Sequence, residues 1–126
     1  MARTRHTEAA AAAPAVVTKA AVRAADKLGL TSKILARIIG VSEPSVSRMR
    51  RGDYLLSEGD KPFELAVLFI RLYRSLDAIV GGDDAVANAW LKNPNTTLQA
   101  APVDLIQNVH GLTDVIQYLD ARRAVV

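Results

Sequence analysis

The 126-residue sequence predicts an all-helical fold, on three observations. Alanine fills 21 positions while aromatics make up 5%, a balance that suits closely packed helices better than sheets, which draw on β-branched and aromatic side chains. Apolar residues recur at three- and four-residue spacing along most of the chain. Glycine, proline and small polar residues cut that pattern into helix-length pieces. With half the residues apolar and 23% charged, the composition is that of a folded chain.

The elements follow in order. Residues 1–13 carry no packing pattern and are expected as a mobile arm, in which Arg3 and Arg5 would suit a phosphate or minor-groove contact. Pro14 fits the first turn of a helix whose inner face is Val17, Ala21, Ala24, Ala25 and Leu28, ended by Gly29. Thr31 caps a second helix, 32–39, that stops at Gly40. Ser42 caps a third, with Glu43 and Pro44 in its first turn, stopping at Gly52. A loop follows, with Tyr54, Leu55 and Leu56 expected on the core. Asp60 is expected to cap the longest helix, 61–80, with Leu65, Val67, Leu68, Leu72, Leu76, Ile79 and Val80 inward and Arg71, Arg74 and Asp77 outward. Gly81-Gly82 ends it, and Asp83 or Asp84 caps a helix through Trp90 to Lys92. After the turn Asn93-Pro94-Asn95, Pro102 opens a short helix, 102–109, which Gly111 closes. A last helix, 112–123, buries Leu112, Val115, Ile116 and Leu119. That makes seven helices and no strand.

Several function classes drop out. Without cysteine there are no disulfides, thiolate metal sites or cysteine nucleophiles, and with His6 and His110 alone no metal or cofactor site is expected. No paired carboxylates, nucleophile–base signature or Gly-rich phosphate cradle marks an enzyme. No apolar run approaches the ~20 residues of a membrane span. The alanine stretch, interrupted by Pro14, does not read as a signal peptide. A cytoplasmic, non-enzymatic protein is the expectation.

The net charge of +3 hides an asymmetry. Residues 1–74 carry 13 Lys/Arg against 7 Asp/Glu, and residues 75–126 carry 3 against 6. The first part suits a polyanion and the second does not. Within the first part, Ile34 to Met49 has the spacing of a helix-turn-helix: Ala36 where two helices cross, Gly40 at the turn, and Val41, Val46 and Met49 as inner contacts. The second helix would enter the major groove. Its candidate DNA-binding residues are Pro44, Ser45, Ser47, Arg48, Arg50 and Arg51: serines for base edges or phosphates, Arg48 for guanine, Arg50 and Arg51 for the backbone. An ordinary helical hairpin with a basic surface is the plainer alternative.

Further along, Arg71 to Asp83, Ala89-Trp90-Leu91, Asn93-Pro94-Asn95, Pro102 to Ile106, Gly111-Leu112 and Tyr118-Leu119-Asp120 occur in an order that resembles the Xre/MbcA/ParS family of antitoxins. With the helix-turn-helix as its Xre-like half, the resemblance covers residues 20–123. It implies a helical, homodimeric protein that binds operator DNA at its own promoter and neutralises a RES-domain toxin, an NAD-consuming enzyme, by occluding its pocket. The expected regions are then the arm 1–13, a DNA-binding region 14–60, and a helical region 61–126 for toxin binding and dimerisation. The toxin-binding residues it implies are Trp90, Asp120, Arg122, Arg123, Ala124, Val125 and Val126. Read from the residues alone, Trp90 packs a helix hairpin and Arg122-Arg123 complement a helix dipole. The competing function is a plain helix-turn-helix repressor whose C-terminal half only dimerises.

Overall fold

The computed structural model describes residues 2–125, with side chains from Ala12 to Ala124. Seven helices form among them: α1 (Ala2–Lys27), α2 (Ser32–Ile39), α3 (Glu43–Arg51), α4 (Lys61–Ile79), α5 (Asp84–Lys92), α6 (Pro102–Leu105) and α7 (Val109–Val125). There is no strand among the described residues, only one isolated bridge between Asn95 and Ala100. Among the described residues no helix is long and apolar enough to cross a membrane.

Central to the fold is α4, which packs along α7 on one side and α1 on the other, and also meets α2. Its buried side chains Leu65, Phe69, Leu72 and Leu76 recur every three or four residues, and each full burial contributes about 1.5–3 kcal/mol. They join one continuous core that takes Leu28, Leu35, Ile39 and Val46 from the first helices and Leu112, Val115 and Leu119 from α7. α4 therefore ties the helix-turn-helix to the C-terminal helices.

Local chemistry sets most boundaries. The Thr31 hydroxyl accepts the Ile34 amide at 3.2 Å, Ser42 accepts that of Ser45 at 3.1 Å, and Asp83 that of Val86 at 3.2 Å. Gly40, at φ +74°, turns the chain between α2 and α3, its amide and that of Val41 both bonding to the Ala36 carbonyl.

Seven expectations are corrected. α1 is helical from Ala2, so the stretch expected as a mobile arm without a packing pattern continues the first helix, since a run of alanines has the highest helix propensity; Met1 lies outside the described residues. Pro14 is therefore inside the helix, where its missing N–H removes one intrahelical bond, and α1 at 26 residues, not α4 at 19, is the longest element. On α4, Val67 is exposed and Phe69 is fully buried in its place. Asp60 makes no side-chain cap; the first turn of α4 instead carries a Lys61–Glu64 ion pair at 3.5 Å. Leu55 is exposed, while Leu56 is buried, its amide held by the Thr18 hydroxyl of α1 at 2.9 Å.

The last correction concerns Gly111. It lies in the first turn of α7 and stops no helix; α6 ends at Leu105, and Asn108 caps α7 by accepting the Gly111 amide at 2.8 Å. A β-carbon at Gly111 would sit 1.9 Å from the Leu105 carbonyl oxygen. Glycine is needed because α6 and α7 meet backbone to backbone.

Candidate functional site

Two surfaces carry the candidate residues. The first is built on α3, whose inner residues Val46 and Met49 hold it against α2 and leave the opposite side to solvent. Pro44, Arg48 and Arg51 are exposed and Ser47 half-buried; at spacings of three, four and seven residues they share one helix face. The Arg48 guanidinium stands 6.0 Å from the Tyr54 ring centroid and donates to the Ser45 hydroxyl at 3.2 Å. Arg51 is 64% exposed, beside an equally exposed Asp53 at 3.5 Å, a pairing weak enough to exchange for a phosphate.

Ser45 and Arg50 do not join that face. Ser45 is only 8% exposed, and its hydroxyl lies 2.8 Å from that of Ser42 inside the α3 cap. The Arg50 guanidinium bonds to the Asp26 carboxylate of α1 and to the Ser32 hydroxyl of α2, the latter at 2.9 Å. It fastens three helices together. Asp26 and Ser32 were invisible as partners in the sequence, lying 24 and 18 residues from Arg50.

The second surface lies on the C-terminal helices. Trp90 of α5 stacks on Tyr118 of α7, with ring centroids 6.1 Å apart and planes 19° apart. Arg122, one turn beyond Tyr118, lies 5.4 Å from its ring centroid and donates to its hydroxyl at 2.9 Å. Trp90, Tyr118 and Arg122 thus form one aromatic and cationic layer. Tyr118 belongs to this layer although no role was assigned to it from the sequence.

Asp120 and Arg123 lie elsewhere on α7. Successive helix residues are about 100° apart, so Arg122 and Arg123 diverge. Asp120 accepts from the Ser75 hydroxyl at 2.8 Å and pairs with Arg71, while Arg123 donates to the same Ser75 hydroxyl at 3.3 Å. The Ser75 hydroxyl, aided by the Arg71 and Arg123 cations and opposed by partial burial, holds the Asp120 carboxyl below the usual carboxylate range. This network fastens α7 to α4 and edges a groove of about 460 Å³ between α1, α4 and α7. Ala124 is exposed at the helix end. The Val125 side chain and Val126 lie outside the described residues.

The two surfaces share one body. The Asn88 amide of α5 donates to the Lys27 carbonyl that ends α1, at 3.3 Å, and Arg37 of α2 reaches Gln107 at 3.5 Å.

Two family models match the chain, in order. Residues 6–71 match the antitoxin Xre-like helix-turn-helix domain, and residues 75–124 match the antitoxin Xre/MbcA/ParS C-terminal toxin-binding domain. The two stretches meet within α4. No curated protein matches the chain.

Proposed function

The chain belongs to the Xre/MbcA/ParS antitoxins, and from that premise we propose that it neutralises a RES-domain, NAD-degrading toxin by occluding its active site. The observation that carries this reading is the layer of Trp90, Tyr118 and Arg122 on the matched toxin-binding domain. Aromatic and arginine side chains already ordered by mutual contact lose little freedom on binding and are the residue types that dominate protein interfaces. From that layer the last turn of α7 leads toward the toxin pocket, with Arg122, Arg123 and Ala124 nearest to it. The inhibition is steric and needs neither a cofactor nor catalysis by the antitoxin.

The same chain represses its own operon in the cytoplasm. Pro44, Ser47, Arg48 and Arg51 face the operator, with Arg48 on base edges and Arg51 on phosphate. One recognition helix buries too little surface to be selective, so a homodimer presents two of them to half-sites about 34 Å apart.

Co-expression with the product of a neighbouring RES-domain gene tests this reading. A complex that co-purifies and shifts promoter DNA is expected; a toxin recovered free of the antitoxin refutes it. The plain-repressor reading draws on Val16 and Val67, 64% and 44% exposed beside the groove between α1, α4 and α7, which offer apolar surface to a second copy. A dimer that binds its promoter but no toxin would decide for that reading.

A further inference from the structure

A second groove, of about 490 Å³, opens between α1 and α3, and among the described residues four cationic side chains and no carboxylate line it. We propose that this groove is a track for the DNA sugar–phosphate backbone, with Lys19 and Arg23 of α1 as its cationic wall; the proposal rests on the DNA-binding reading of α3.

Lys19 and Arg23 are exposed and stand four residues apart, so they project from one side of α1 about 6 Å apart along its axis. Among the described residues neither belongs to an ion pair. Like charges at this spacing repel each other on a helix, and no ion pair among the described residues relieves them. An external anion would. Of the other two cations, Arg50 is occupied by Asp26 and Ser32, while Arg51 lines the groove 64% exposed, in the weak pair with Asp53.

Arg51 also makes the groove continuous with the recognition face. It shares that face with Arg48, Ser47 and Pro44 and at the same time lines the groove. A duplex read by Arg48 therefore carries its backbone past Arg51 and on to Lys19 and Arg23. The floor suits a nucleic acid strand as well: Val22 and the 49% exposed Leu55 present apolar surface to deoxyribose, while the cations take the phosphates. Such contacts raise affinity for every sequence alike and position the reading helix.

The test uses the full chain and a short mixed-sequence duplex, with affinity measured from about 50 to 200 mM salt. The double variant Lys19→Gln/Arg23→Gln should lose about 1.8 from the slope of log affinity against log salt per bound chain, equally on any sequence. The charge-preserving pair Lys19→Arg/Arg23→Lys should restore the parent slope. Unchanged slope in the glutamine variant, with a parent that binds DNA, overturns the proposal and leaves the role of α3 intact. Unchanged slope together with lost binding of polyglutamate assigns the groove to an acidic protein segment and also overturns it. A parent chain that binds no duplex at low salt removes the DNA-binding reading, and this proposal with it.

Discussion

Replacing Gly111 by alanine should destabilise the protein by about 2 kcal/mol. The added β-carbon would stand 1.9 Å from the Leu105 carbonyl oxygen and 2.7 Å from its carbon. Ordinary contact needs roughly 3.5 Å, so α6 must retreat by about 1.5 Å. These are backbone atoms, which cannot rotate aside, and their retreat lifts the buried Pro102 and Ile106 off the core. Overpacking of this kind costs about 1–3 kcal/mol, and such a short approach belongs at the upper end. The opposing gain, alanine over glycine in a helix, is at most about 1 kcal/mol. The difference should lower the melting temperature by about 8 °C at this chain length, read by circular dichroism. Asparagine separates this account from a glycine that ends a helix. A left-handed cap tolerates asparagine, whereas the close approach of α6 makes it at least as harmful as alanine. An unchanged melting temperature for Gly111→Ala, or a milder effect of Gly111→Asn, would show that α6 does not press on this position.

Three other outcomes follow from the contacts. Because Arg50 is fastened to Asp26 and Ser32, Arg50→Ala should lower stability yet leave the salt slope of DNA binding unchanged, while Arg51→Ala reduces that slope by about 0.9; a double-mutant cycle between Asp26 and Arg50 should show about 0.5–1 kcal/mol of coupling. Asp120 titrates lower folded than unfolded, so it adds stability above the ordinary carboxylate pKa that is lost as pH falls through the folded value; Asp120→Asn should flatten the decline in urea midpoint below about pH 4. Trp90→Ala should weaken toxin binding at least ~30-fold, about 2 kcal/mol, by titration calorimetry, while loss of its stack on Tyr118 costs about 0.5–1.5 kcal/mol of stability. A toxin affinity equal to that of the parent would leave Trp90 a packing residue only.

What could be read from the sequence was what is decided locally. The caps at Thr31 and Ser42 and the turn at Gly40 depend on residues within four positions, so spacing alone revealed them, and it narrowed the cap of α5 to Asp83 or Asp84, of which Asp83 takes the Val86 amide. The phase of α4 was less legible. From Leu65 to Ile70 every residue is apolar, and only the positions of α1 and α7 decide that Phe69 turns inward and Val67 outward. Gly111 misled for a related reason: glycine serves both a left-handed turn and a close backbone approach, and the sequence does not distinguish them. On the candidate surfaces, Arg48 and Arg51 stay in solvent as their helix face implied, but Arg50 met a carboxylate 24 residues away. Arg122 and Arg123 looked like one feature in sequence and became two in space, one on Tyr118 and one on Ser75. The family resemblance succeeded because several ordered motifs reinforce one another over most of the chain, where each motif alone is common.

The proposed occlusion of an NAD-consuming partner's pocket by the C-terminal helices is tested by NAD loss with the purified RES-domain toxin, alone and with a stoichiometric excess of the full chain. NAD should persist with the full chain. A chain stopped after Asp120, which loses the Arg122 contact with Tyr118 and the Arg123 contact with Ser75, should still bind the toxin but let NAD consumption resume. NAD consumed at the same rate with and without the full chain would rule out pocket occlusion.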